Sequence, residues 1–96
     1  RITNLPRVYM PIKSIKELIK QCFPLVQRLG KVITFDDMIH IMSQVGKSFP
    51  KDRSQRQGNV KFPRDYDIYR MMLDLGFQDT YKRAVPEFIV PDELNE

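Results

Sequence analysis

Apolar residues in the first third of the chain recur at steps of three and four. Ile15, Leu18, Cys22, Leu25 and Leu29 form a stripe that Ile19 and Val26 widen, and this period places them on one face of an amphipathic helix. Ser14 followed three residues later by Glu17 has the spacing of a capping box at the start of that helix, where each side chain meets the other residue's free backbone N–H. Pro24 lies inside the pattern and removes one backbone hydrogen bond, which predicts a kink or a break near Cys22 and Phe23. Gly30 supplies the stop. Lys31 to Ile33 is a short β-prone stretch, after which Thr34 and Asp37 predict an N-cap with an acidic first turn. The second helix carries Phe35, Met38, Ile39, Met42 and Val45 on one face and ends at Gly46.

Residues 47–62, KSFPKDRSQRQGNVKF, break the period. They read as a long basic loop, and compact domains seldom hold structureless connections beyond about 12 to 15 residues unless these are functional or disordered. Pro63 and Asp65 open a third helix with Ile68, Tyr69, Met72 and Leu75 on its main apolar arc. Tyr66, Met71 and Leu73 broaden the arc, which predicts that this is the most buried of the three helices, and Gly76 closes it. Phe77 to Val90 reads either as a helical turn at Asp79 to Arg83 followed by an extended Glu87 to Val90, or as two strands of a small hairpin. Arg1 to Pro11, with two prolines and an alternating Val8, Tyr9, Met10, reads as an extended arm, and the acidic Pro91 to Glu96 is expected to fray. The fold class that follows is mainly α: a small three-helix core with a short β-hairpin as one reading of its end.

A chain of 96 residues has room for one core, so a single domain over 1–96 is expected. The lone cysteine, Cys22, cannot make an internal disulfide, and a reducing intracellular compartment, nuclear or cytoplasmic, is the default that this implies. No apolar run approaches the roughly 18 to 20 residues of a membrane-spanning helix, and the N-terminus has no signal-peptide h-region. The chain opens at Arg1 rather than at a methionine, which leaves open that it is a fragment of a longer protein. The net charge of +4 hides an asymmetry: residues 1–64 hold 13 Lys/Arg against 4 Asp/Glu, residues 65–96 hold 3 against 8. A basic front and acidic end either present a positive face to an acidic partner or attract each other within the fold.

Candidate chemistry is sparse. His40 is the only histidine and falls on the polar side of the second helix, as a solvated residue would. A structural zinc site needs four Cys/His ligands, and this chain has two such residues in all. The pairs Asp36/Asp37 and Asp65/Asp67 sit in opening turns of helices, where the helix dipole accounts for them without catalysis. Asp74 and Asp79 form the remaining pair. KVITFDDMIHIM is similar to the second half of an EF-hand, yet residues 24–35, PLVQRLGKVITF, contain no carboxylate to hold calcium. Neither GxxxxGK[ST] nor GxGxxG occurs. The expectation is a non-enzymatic module with no cofactor and no small-molecule substrate.

What remains is the basic loop. Lys47, Lys51, Arg53, Arg56, Lys61 and Arg64 lie within 18 residues, opposed only by Asp52, and Ser48, Ser54, Gln55, Gln57 and Asn59 add neutral donors. Such a segment neutralises phosphates and makes further contacts through its amides. Phe49 and Phe62 either stack on unpaired bases or anchor the loop ends to the core. Lys13, Lys16, Lys20 and Arg28 make a second basic surface on the first helix. The order helix, short strand, helix, loop, helix, LGF and a final EFIV resembles a winged-helix domain over residues 12–90, a resemblance of element order that implies DNA binding with the third helix as reader. Here the connection before that helix is longer than a helix-turn-helix turn, and the helix's outward Arg64, Asp67, Arg70 and Asp74 alternate in sign. The loop and the first-helix residues Lys16 and Lys20 are therefore the candidate phosphate contacts of a nucleic-acid-binding, and more specifically DNA-binding, module. The alternative is a protein-interaction domain that offers a Met- and aromatic-rich groove to a partner helix or peptide.

Overall fold

A computed structural model describes residues 12–57 and 61–95, with side chains from Ser14 onward, so the expected arm at 1–11 and Lys13 lie outside the described side chains. Four helices and a small sheet follow in the order α1 (Ile12–Leu29), β1 (Val32–Thr34), α2 (Phe35–Val45), α3 (Arg53–Arg56), α4 (Asp65–Asp74), β2 (Gln78–Asp79) and β3 (Glu87–Ile89). The sheet is antiparallel with strand order β1-β3-β2.

Two expectations about α1 need correcting. The helix begins at Ile12, so Ser14 is already inside its first turn and cannot cap it. Glu17 instead pairs with Lys20 across 3.4 Å. Of the kink or break expected near Cys22 and Phe23, the break does not occur, since the helix runs through Pro24 as one element. That residue is exposed, on a side where water can replace the hydrogen bond that proline removes. Ile15, Leu18, Ile19, Cys22 and Val26 are buried, but Leu25 and Leu29 stay 36% and 56% exposed. Leu25 lies on the flank of the arc and Leu29 at the helix end, so neither meets a packing partner on all sides.

The α2 N-terminus forms as its sequence predicts. Thr34 Oγ1 accepts the Asp37 N–H at 3.0 Å, and Asp37 Oδ2 accepts the Thr34 N–H at 2.9 Å, a reciprocal capping box that satisfies two otherwise orphaned donors. Phe35, Met38, Ile39, Ile41 and Met42 are buried, which makes α2, not α4, the most buried helix. On α4 the buried set is Ile68, Met71 and Met72, and Tyr66 is 67% exposed. At the end of α2 a side chain on Gly46 would stand 2.9 Å from a Leu18 methyl, so glycine permits the close approach of α1 there.

The C-terminal third takes the hairpin alternative rather than a helical turn. Ile33 pairs with Phe88 and Val32 with Ile89. The period of two sends Ile33 and Phe88 into the core and leaves Val32 and Ile89 on the open face. Phe88 is the hub of an aromatic cluster, with ring centroids 5.6 Å from Tyr69, 6.3 Å from Phe77 and 6.4 Å from Phe35. The acidic end does not fray as far as Asn95. Leu94 packs on the core, the Asn95 N–H donates to the Leu75 carbonyl at 2.8 Å, and Gln27 Nε2 donates to the Asp92 carbonyl at 3.1 Å. One apolar side chain and one free carbonyl beyond α4 suffice to hold it.

Cys22 is fully buried in this core, and burial pushes its thiol from the ordinary 9.0 up to about 11. The folded state thus favours the neutral thiol. Its contribution is intact below about pH 9 and is lost as pH rises from there toward 11, because the unfolded chain ionises first. Stability of the native protein should therefore fall more steeply across that window than that of Cys22→Val, by about 1.4 kcal/mol per pH unit in urea titrations. Iodoacetamide near neutral pH should modify Cys22 at the rate of unfolding, and fast labelling of the folded protein would contradict its burial.

Candidate functional site

The segment expected to be a structureless loop is organised by one buried arginine. Phe49 is buried and sits edge-on to Phe62, with centroids 6.5 Å apart, so the pair anchors the segment and Phe49 is not available to stack on a ligand. Asp52 caps the short α3, its Oδ1 accepting the Ser54 N–H at 3.0 Å and the Ser54 hydroxyl at 2.9 Å. Those two bonds hold its carboxyl below the usual range. Arg56 is 3% exposed. It donates through Nε and Nη2 to the two carboxylate oxygens of Asp65 at 3.1 and 3.3 Å, and through Nη1 to the Pro50 and Lys51 carbonyls at 3.0 and 2.8 Å. Its guanidinium carbon lies 5.6 Å from the Phe49 ring centroid.

Arg56 is therefore a structural staple between the 47–57 segment and the start of α4, and its expected role as a phosphate contact is corrected: its donors are spent inside the protein. Arg53 leans on the same carboxylate, with Nε 3.7 Å from Asp65 Oδ2, but its side chain stays exposed. Lys47, Lys51, Lys61 and Arg64 are exposed. Lys16 and Lys20 are half-buried on α1, Lys20 beside Glu17. Met38, Met42, Met71 and Met72, from which the alternative reading builds its groove, are all buried.

What the fold does bring together is an open groove of about 700 Å³ between the N-terminal halves of α2 and α4, the 51–56 segment and the β2–β3 loop. Lys51, Arg53 and Arg83 line it, together with the rings of Tyr66, Tyr69 and Tyr81. A smaller hollow of about 320 Å³ adjoins it and shares Arg53, Asp65 and Tyr66 while adding Arg64 and Gln57. Asp36, Asp65 and Asp79 also line the groove. Asp65 is committed to Arg56, and Asp79 to the Tyr69 hydroxyl and the Tyr81 amide.

Asp79 organises the β2–β3 loop. Its Oδ2 accepts the Tyr69 hydroxyl at 2.7 Å and its Oδ1 accepts the Tyr81 N–H at 2.8 Å. The bond to Asp79, then desolvation, push the Tyr69 hydroxyl well above its ordinary range, because ionisation would place two negative charges together. Tyr81 has φ 59°, a left-handed conformation that costs a bulky residue about 1–2 kcal/mol. Its ring is 80% exposed. Tyr66 stacks on Tyr69 with centroids 6.4 Å apart and an interplanar angle of 29°, which leaves its other face open. Across the loop Arg83 Nε lies 3.7 Å from Glu87 Oε2.

Sequence reasoning placed Tyr66 on the apolar arc and did not single out Tyr81, Lys82 or Arg83. The available signal was TYKR between two candidate strands, an aromatic beside cations at a loop tip. His40 is exposed, as its place on α2 predicts. Among the described residues no group of three or more His, Cys, Asp or Glu is arranged to hold a metal ion. Nor is any described helix long and apolar enough to cross a membrane. The arrangement sets exposed tyrosines beside exposed cations on one groove. No protein-family model matches the chain, and neither a curated protein nor a solved structure is significantly similar to it.

Proposed function

We propose that this chain is a non-enzymatic nucleic-acid-binding module of winged-helix-like arrangement, with contacts from α4's N-terminal face, the 51–56 segment and the β2–β3 loop. The order α1, β1, α2, α4, β2, β3 and the sheet order β1-β3-β2 support this reading, with α3 as a turn inserted before α4 and the β2–β3 loop in the place of a wing. The observation that carries the proposal is the convergence of exposed Lys51, Arg53 and Arg83 on one groove, extended by Arg64 through the adjoining hollow. These four come from three separate stretches of chain, and the acid nearest Arg53 is already held by Arg56.

With about three or four phosphate contacts, log K should fall against log salt with a slope between about −2 and −4. The double variant Lys51→Gln, Arg83→Gln should reduce that slope by about one to two and leave the thermal midpoint unchanged, since both side chains are exposed. Fluorescence anisotropy over a salt series measures it, and absence of binding at low salt rejects the proposal. A protein ligand is the second reading, favoured by the exposed Val85 on the groove lip and by exposed Val32 and Ile89 on the open sheet face. It predicts a peptide partner whose affinity is nearly indifferent to salt.

A further inference from the structure

We infer that the groove takes an unpaired nucleobase, so that the module selects single strands over duplex. This rests on the nucleic-acid reading and names its ligand class. The first argument is what α4 offers to a duplex. A reading helix must enter a groove walled by phosphates, but the outward positions of α4 run Arg64, Asp67, Arg70, Asp74, and two of the four repel those walls. The second is size. A space of about 700 Å³ is in the range of small-molecule sites and admits a nucleotide or two, whereas a duplex would lie across its mouth.

The third is the pair of rings. Tyr66 and Tyr81 both line the groove and are 67% and 80% exposed, an unusual investment of aromatic surface in water. Base stacking on such rings tolerates any sequence and needs a base face that pairing and stacking in a duplex conceal. The ring of Tyr66 and the backbone of Tyr81 are also held in place. Tyr66 stacks on Tyr69, whose hydroxyl binds Asp79, which in turn binds the amide of Tyr81. That last bond helps maintain Tyr81 in a backbone conformation disfavoured for every bulky residue, and strain of this kind concentrates at functional positions. Asp36 also lines the groove and disfavours phosphate beside it, which favours the phosphates at Lys51, Arg53 and Arg83 and leaves the groove to the base.

The test titrates the domain at fixed salt with one oligonucleotide as single-stranded DNA, as single-stranded RNA and as a hairpin duplex of equal length. Either single strand should bind at least about tenfold more tightly than the duplex. Tyr66→Ser and Tyr81→Ser should each weaken single-strand binding by about five- to tenfold or more with the salt slope unchanged. Tyr81→Gly should raise the thermal midpoint while weakening binding, which separates loss of the ring from loss of the fold. Equal affinity for strand and duplex, with the tyrosine variants silent and Lys51→Gln, Arg83→Gln still weakening binding, overturns the base pocket and leaves the module reading intact. Binding to none of the three probes at low salt removes both.

Discussion

Arg56→Ala should destabilise the domain by about 3–5 kcal/mol, seen as a lower urea midpoint. The substitution does several things at once. It removes the fork that holds both oxygens of Asp65, it leaves the Pro50 and Lys51 carbonyls without their donor, and it takes the cation from above Phe49. The largest part of the cost is the loss of the buried guanidinium's pairing with Asp65, because the Pro50 and Lys51 carbonyls are only partly buried and water can reach them. Arg56→Lys keeps the charge but not the planar geometry and should fall between the two. Asp65→Ala strands the buried guanidinium and should be nearly as harmful, whereas the double variant should cost less than the sum of the singles by about 1–3 kcal/mol. Amide exchange should show residues 49–57 losing protection first. A cost below about 1 kcal/mol for Arg56→Ala would mean that water replaces the protein partners, contrary to the burial observed.

Phe88→Ala should cost a similar amount, about 3–5 kcal/mol, for a different reason. Phe88 lies in the central strand, is fully buried, and packs against the rings of Phe35 in α2, Tyr69 in α4 and Phe77 just before β2. Its removal opens a cavity that a three-stranded sheet with such short strands cannot close. For a domain of this size the thermal midpoint should drop by about 4–8 °C per kcal/mol, so by about 15–30 °C in all. Ile89→Ala, one residue on but on the open face, should cost less than about 1 kcal/mol. Because Phe88 packs against Tyr69, and Tyr69 binds Asp79, a milder Phe88→Leu should also loosen the groove and raise exchange at Tyr81. Equal costs for Phe88→Ala and Ile89→Ala would refute the register described.

Legibility in the sequence tracks how local the governing interaction is. The α2 helix is readable because its signals lie within its own residues: Thr34 and Asp37 are three apart, and the apolar period is uninterrupted. The β-prone 31–33 stretch is readable for the same reason, whereas 77–90 leaves a helical turn and a hairpin both open until the pairing with β1 decides it. The start of α1 is not, because a Ser–x–x–Glu spacing acts only where a helix begins, and this one begins two residues earlier. The exposure of Leu25 and Leu29 depends on where the neighbouring helices end. Asn95 is held by the Leu75 carbonyl just past α4, some twenty residues away, and Leu94 by the core.

The candidate site shows the same division. Residue types alone marked 47–64 as basic, and the exposure of Lys47, Lys51, Lys61 and Arg64 agrees with that. Composition cannot separate Arg53 from Arg56, since both are arginines in one short segment. The fold separates them, as one turn of α3 points Arg56 at Asp65 and two backbone carbonyls while Arg53 stays in water. By itself the sequence determined the helical period of α1, α2 and α4, the α2 cap and the division of charge along the chain, because these arise between residues within a few positions of one another. Only tertiary packing decided which cations are spent internally and that Tyr66, Tyr81, Arg53 and Arg83 share a groove. Burial and convergence are set by distances in space between segments that no local pattern relates.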